Sequence, residues 1–234
     1  LKKIQIEGFE MYVREKEANG LHDGYCEPHE TALIKKLVKP DWCCMDIGAN
    51  IGFFTILMSR QCEHVYAFEP EPHNFEMLKQ NVVLNEFGDV TLYKEAVGDK
   101  NGTMPLYLCP SDPGMHRLYK SKWCNDRTDT YVYCTQLDDY KFSKINLIKM
   151  DIEGAEFGAL LGMVELLIKD HPLIIMEFHP MSIKEYGVRP DKVYEFLYKL
   201  GYRMSLIPNM EQLNYEQLYQ KTNDQSGGQN ILCQ

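Results

Sequence analysis

Five carboxylates, one imidazole and a pair of glycines stand where this sequence can do chemistry. Asp46-Ile47-Gly48-Ala49-Asn50-Ile51-Gly52 follows a short apolar run. Glycine there lets the backbone turn sharply and approach a ligand with no Cβ in the way. The spacing is D-x-G-x-x-x-G rather than the G-x-G-x-x-G of a dinucleotide fold, and a pyrophosphate needs a tight nest of amides at a helix start. Asp46, two residues before the first glycine, repels phosphate and favours a cation. Glu69 ends the next apolar run, in Phe68-Glu69-Pro70. A carboxylate about twenty residues past a glycine turn can accept both hydroxyls of a ribose. Nicotinamide dinucleotides and S-adenosylmethionine both carry that ribose, so Glu69 alone does not separate them. A ligand with an ammonium, a sulfonium and no phosphate suits Asp46. The plainer readings are a simple strand-to-helix turn for the glycines and, for Glu69, an acid stabilised at a helix N-terminus.

These residues need a scaffold that brings strand ends together. Short apolar runs recur at Cys43–Ile47, His64–Phe68, 90–93, Ile145–Met150 and Leu173–Phe178. Runs of this length, apolar on both faces, predict strands buried beneath helices. Helical periods fall between them. Leu33, Ile34, Leu37 and Val38 mark one helix, Phe75, Leu78 and Val82 a second, and Leu160, Leu161, Val164, Leu167 and Ile168 a third. A further helix opens at Pro190-Asp191, carries Val193, Phe196, Leu197 and Leu200 at helical spacing, and closes at Gly201. Alternating β and α elements predict an α/β fold with a mostly parallel sheet and right-handed crossovers. Later strands are expected at 202–207 and 230–233. Residues 1–27 are expected to cap the sheet with short strands. Residues 28–234 form the main domain, interrupted at 103–135 by two extra strands joined by a long loop. Loops of that length in a compact domain are usually functional or disordered.

The chain has 234 residues, 44% hydrophobic, with 25 Lys+Arg against 34 Asp+Glu and a formal charge of −9. One large domain is the expected organisation. So acidic a chain is a poor general binder of nucleic acid, which demands concentrated positive charge. No apolar run approaches the ~20 residues that span a bilayer, and residues 1–7 lack the apolar core of a signal peptide. The chain opens on Leu1 rather than Met, so processing or trimming is expected. Its eight cysteines include no C-x-x-C pair, which removes support for a zinc ribbon or a thioredoxin-like site. Cys43 and Cys44 read as small buried hydrophobes. A reducing, cytoplasmic home is the default expectation.

Several stretches together resemble the FkbM-type S-adenosylmethionine-dependent methyltransferases. They are residues 40–55 around Met45-Asp46-Ile47-Gly48-Ala49-Asn50-Ile51-Gly52-Phe53-Phe54-Thr55, then Ala67-Phe68-Glu69-Pro70 and Glu95-Ala96-Val97-Gly98-Asp99. Ile148-Lys149-Met150-Asp151-Ile152-Glu153-Gly154-Ala155-Glu156 and Met176-Glu177-Phe178-His179 complete the series. The resemblance runs over residues 24–201, and the stretch from Ile148 is its family-specific piece. It implies a single Rossmann-like class I methyltransferase domain with a seven-stranded, mostly parallel sheet and helices on both faces. It implies S-adenosylmethionine as cofactor and a hydroxyl of a small molecule, sugar or lipid as acceptor. By position, Asp46, Gly48, Asn50 and Gly52 would wrap the methionine part, Glu69 with Pro70 would hold the ribose, and Ala96 with Val97 would border the adenine. Tyr25 and Glu27 would touch the amino acid end, and Asp151 would lie near the sulfonium. The family's strand order makes the strands ending at Asp151 and Glu177 neighbours.

Methyl transfer to an alcohol needs in-line alignment and removal of the hydroxyl proton. Asp151, Glu153, Glu177 and His179 are therefore expected at one edge, and carboxylates held close raise one another's proton affinity. His179 or Glu153 is expected to take the proton, with Asp151 and Glu177 positioning groups around it. The plainer readings are a loop start for His179 before Pro180 and a helix cap for Glu153. A divalent ion could bind such a set, but the Asp-Asn pattern of catechol-type methyltransferases is missing after the fifth strand, so no metal is expected. Arg117, Lys120, Lys122 and Arg127, with Tyr119 and Trp123, give residues 109–128 a basic and aromatic character that suits an anionic or sugar-bearing acceptor. A solvated loop whose aromatics pack on the sheet accounts for the same residues. Two other functions stay open at this point: a nucleotide-cofactor oxidoreductase of doubly wound fold, and an adenosyl-binding module without catalysis.

Overall fold

A computed structural model describes residues 1–15, 27–109, 114–122, 127–207, 209–223 and 228–234. The chain begins with an antiparallel hairpin of β1 (Lys2–Ile6) and β2 (Phe9–Val13). After α1 (Pro28–Leu37) it alternates β3 (Cys43–Ile47), α2 (Phe53–Ser59), β4 (His64–Phe68), α3 (Pro72–Asn85) and β5 (Asp89–Tyr93). A side sheet follows, built from β6 (Ala96–Val97), β7 (Gly102–Leu108) and β8 (Arg127–Thr135). The alternation resumes with β9 (Ile145–Met150), α4 (Glu156–Leu161), α5 (Val164–Asp170), β10 (Leu173–Phe178), α6 (Pro180–Glu185) and α7 (Pro190–Lys199). β11 (Met204–Leu206), β12 (Glu211–Gln212), α8 (Tyr215–Thr222) and β13 (Gln229–Cys233) complete the order.

The main sheet runs β12-β11-β13-β10-β9-β3-β4-β5. The block β10-β9-β3-β4-β5 is parallel throughout, and β13 enters antiparallel against β10. The sheet therefore has eight strands where seven were expected. The addition is β12, two exposed residues that fold back antiparallel onto β11 at the edge. So short and polar a strand carries no apolar signal.

Strand alternation distributes the core over both faces. Met45, Ile47, Ile148, Met150, Ile174 and Met176 pack with α4, α5, α7 and α8 in one apolar layer. Cys44, Val65, Leu147, Ile175 and Leu232 pack with α1, α2 and the hairpin residues Ile6, Phe9, Met11 and Val13 in the other. The buried Asn81 of α3 fixes the hairpin. It accepts from Tyr12 N at 2.7 Å and donates to Tyr12 O at 3.0 Å and to Ile51 O at 2.8 Å. One side chain thus ties the hairpin to the glycine turn.

Two further differences from the sequence reading have physical causes. The stripe from Leu160 to Ile168 divides into α4 and α5 because Gly162 presses against Gly98 O, where a Cβ would come within 1.9 Å. Asp138 then caps α5 from outside, accepting from Glu165 N and Leu166 N at 3.0 Å each. The two strands expected within 103–135 are β7 and β8, paired antiparallel. The two-residue β6 joins them by pairing parallel with β8.

Cys43, Cys44, Cys62, Cys134 and Cys233 are buried free thiols, whereas Cys109 is disulfide-bonded. Cys26 and Cys124 lie outside the described residues. Among the described residues, no helix is long and apolar enough to cross a membrane.

Candidate active site

A cleft of about 400 Å³ opens at the carboxyl ends of β3, β4 and β9, between them and the side sheet. Open α/β sheets bind ligands at this edge. The turn after β3 forms its floor. Gly48 (φ 84°), Asn50 (φ 51°) and Gly52 (φ 98°) are all left-handed, a conformation costly for residues with a Cβ. A Cβ on Gly48 would lie 2.0 Å from Asp151 O, so only glycine lets the turn pass under the end of β9. Gly52 lies outside the cleft wall and packs against Leu78, whose Cδ1 a Cβ would meet at 2.7 Å. Its part is to shape the turn.

Glu69 is locked from both sides. Its Oε2 accepts from Asn50 N at 2.8 Å and its Oε1 from Glu71 N at 2.8 Å. Burial pushes its carboxyl up to about 7 against these two bonds, so the site holds a carboxylate eager for further donors. Asp46 is buried at the end of β3 and accepts from Thr55 Oγ1 at 2.5 Å. Burial raises its pKa to about 6. Glu27, the N-cap of α1 at φ 40°, reaches the same pocket and accepts from Asn230 Nδ2 at 3.2 Å. Pro70, Ala96, Val97, Asp151 and Glu153 complete the expected residues that line the cleft. Tyr25 lies outside the described residues.

Lys149, which the sequence reading did not single out as a site residue, sits in the middle of these acids. In the parallel register it lies opposite Asp46. Its Nζ is 3.2 Å from Asp151 Oδ2, 3.9 Å from Glu27 Oε2 and 4.8 Å from the centre of the Phe54 ring. Burial pulls its pKa down, but Asp151, Glu27 and Asp46 outweigh that and hold it above the usual lysine value. The available signal was a lone charge inside a strand that is otherwise apolar apart from Asn146.

The other half of the edge gathers β9, β10 and the insertion. Glu153 stands at φ 58° beside Gly154 at φ 104°, and the backbone of Ser182 comes so close to Gly154 that a Cβ would lie 2.7 Å from it. Non-glycine residues in this region cluster at functional sites, and Glu27, Asn50 and Glu153 all line the cleft. Arg117, only 5% exposed, donates from Nη2 to Glu153 Oε2 at 3.1 Å. Its backbone is stitched to Tyr107 in both directions, at 2.7 and 3.0 Å. Tyr119 donates to Glu153 O at 2.9 Å and packs edge-on against Tyr186. Burial, then the charge of Asp151, raise Glu153 to about 7 against the pull of Arg117.

Glu177 and His179 stand outside the cleft wall. Glu177 is held far above the usual carboxylate range, first by burial and then by Asp151 and Glu153, and its Oε2 is buried without a hydrogen bond. Gly228 covers it so tightly that a Cβ would lie 2.2 Å from Oε1. His179 is the N-cap residue of α6, with Pro180 following, and its Nδ1 lies 2.8 Å from Ser182 Oγ. Burial and the Arg117 charge lower its pKa. Glu156, 1% exposed, is spent on Ile152 N and Gly154 N. Lys120 and Lys122 are exposed. Trp123 and the Arg127 side chain lie outside the described residues.

Known proteins share this family and fold. The family model described as "Methyltransferase FkbM domain" matches residues 46–204. A protein named Methyltransferase 1 from Beauveria bassiana is 28% identical over 142 residues, which cover 51% of this chain and 57% of the relative. The chain thus spans little more than half of that relative's length. The 2-O-methyltransferase NoeI of Sinorhizobium fredii is 27% identical over 65% of this chain and 70% of its own. A Streptococcus mutans chain described as a methyltransferase, solved in complex with SAH, shares the fold at TM-score 0.52 and 11% identity, covering 95% of this chain and 98% of that one. With its glycine turn, Glu69 and the acidic loop after β9 all inside the matched segment, this chain belongs to the FkbM methyltransferase domain family.

Proposed function

We propose that the chain is an S-adenosylmethionine-dependent O-methyltransferase acting on a hydroxyl of a small molecule, sugar or lipid. One observation carries the donor end: Glu69, at the end of β4, is fixed by two backbone amides over a turn that only glycines allow. That is a preorganised acceptor for two ribose hydroxyls and a poor one for pyrophosphate, because Asp46, Glu27 and Asp151 surround the turn with negative charge. Asn50 Oδ1, buried without a hydrogen-bond partner, offers one more acceptor in the same wall. The donor set fits an adenosyl group with a cationic tail. Glu69 with Pro70 holds the ribose, Ala96 and Val97 border the adenine, and Asp46, Glu27 and Asp151 take the ammonium. When bound, S-adenosylmethionine supplies a methyl carbon activated by a positively charged sulfur.

The chain's part in the chemistry is alignment and proton removal. Alignment alone is worth ~7–11 kcal/mol in well-ordered reactions. Glu153 lines the cleft with a pKa near 7, which suits a base at neutral pH. In this reading it takes the proton of the acceptor hydroxyl. Asp151, and after it Glu156, sustain its proton affinity, and Arg117 keeps it from being permanently protonated. His179, turned to Ser182 outside the cleft wall, holds the loop after β10. O-methylation is favoured by the presence of such a base, which an alcohol acceptor needs, and by the Sinorhizobium relative, named a 2-O-methyltransferase. No metal is assigned to this edge, and the acidic chain is not proposed to act on nucleic acid. Methyl transfer from labelled donor into metabolite, glycan and lipid extracts, sorted by mass, tests the activity. Glu153→Gln with retained SAH binding tests the base: unchanged turnover in that variant would sink the assignment, and a loss confined to His179→Ala would move the base to His179.

A further inference from the structure

Lys149 carries more than the proposed function requires of it. It is the only lysine or arginine among the described residues that line the cleft, where six carboxylates line the same wall. A lysine buried to 1% exposure is costly to desolvate, and chains retain one when it has a charge to meet. An ammonium has three donors. One goes to Asp151 at 3.2 Å, while Glu27 at 3.9 Å is an ion-pair contact beyond hydrogen-bond length and Phe54 offers only a ring face.

The amino acid end of an adenosyl donor joins an ammonium and a carboxylate on one carbon. Glu27, Asp46 and Asp151 attract the first and repel the second, so a carboxylate can settle among them only against a fixed cation. We propose that Lys149 receives that carboxylate and makes the site selective for a zwitterionic tail. This rests on the adenosyl-donor reading. It adds a specificity-determining residue and excludes donors that have lost the carboxylate.

Titration calorimetry of the whole chain with SAH and with decarboxylated SAH tests it. A hydrogen-bonded charge pair predicts that the unaltered chain binds SAH about tenfold or more tightly. In Lys149→Met that preference disappears or reverses, because the amine of both ligands still meets the acids while the carboxylate of SAH now meets them unshielded. Should three unpaired carboxylates prevent folding of this variant, Lys149→Met with Glu27→Gln removes one charge of each sign and gives the same loss of preference. Equal affinity of the unaltered chain for the two ligands overturns the inference without any variant, and so does a preference that survives loss of Lys149. Failure of the unaltered chain to bind either ligand instead removes the adenosyl-donor reading itself.

Discussion

The two ends of the crevice are built on different principles. At the donor end the key carboxylate is finished by the chain itself, since both oxygens of Glu69 rest on backbone amides and Asp46 rests on Thr55. At the acceptor end the groups are buried but unspent. Arg117 has Nε and Nη1 buried with no hydrogen bond, and Glu177 Oε2 is in the same state. Unsatisfied buried polar atoms cost free energy, and the donor wall holds one of its own in Asn50 Oδ1. In the proposed reading one end is a socket preorganised for the donor and the other is the edge that takes the acceptor proton.

Glu69→Ala should break the socket most visibly. Two charge-assisted bonds and the anchor of the Asn50 amide go together, and calorimetry should show SAH affinity down by more than about a hundredfold. Retention of affinity would make Glu69 a turn residue only. Glu153→Gln should leave SAH affinity nearly unchanged and lower turnover by about a hundredfold or more, the usual worth of a positioned base. In the unaltered chain turnover should climb as pH rises through about 7, since the carboxyl must lose its proton before it can accept another, and the variant should lack that limb.

Arg117→Met sharpens the contrast further. Arg117 holds the Glu153 proton affinity down, so without it the ascending limb of the pH profile should move to higher pH, while SAH binding stays as it was. An unmoved limb would mean that Glu153 is not the titrating group. The smallest effect belongs to the exposed loop. Lys120→Glu with Lys122→Glu should raise the acceptor KM by only about twofold to fivefold, as expected of solvent-screened charges. No change would remove the loop from acceptor recognition.

How much of this was readable in the sequence follows the same division. β3, β4, β9 and β10 have the bounds of their apolar runs, because strands buried on both faces leave a mostly apolar signature. That Asp46, Gly48, Asn50 and Glu69 meet at one strand edge was readable, because a turn that demands glycine constrains its spacing. Lys149 was not, since its meaning lies in the cross-strand register opposite Asp46 and in Glu27, more than a hundred residues away. Arg117 looked like one of several loop cations. Only the pairing of its backbone with Tyr107 turns it inward to Glu153 while Lys120 and Lys122 stay exposed. The convergence of Glu153 with Arg117 is a tertiary fact with no local trace.

Calorimetry of the intact chain with SAH, set beside NAD under the same conditions, tests the central claim most directly. The account predicts saturable binding of SAH at one site per chain and no heat with NAD, whose pyrophosphate would face Asp46. Heat with NAD and none with SAH would contradict it.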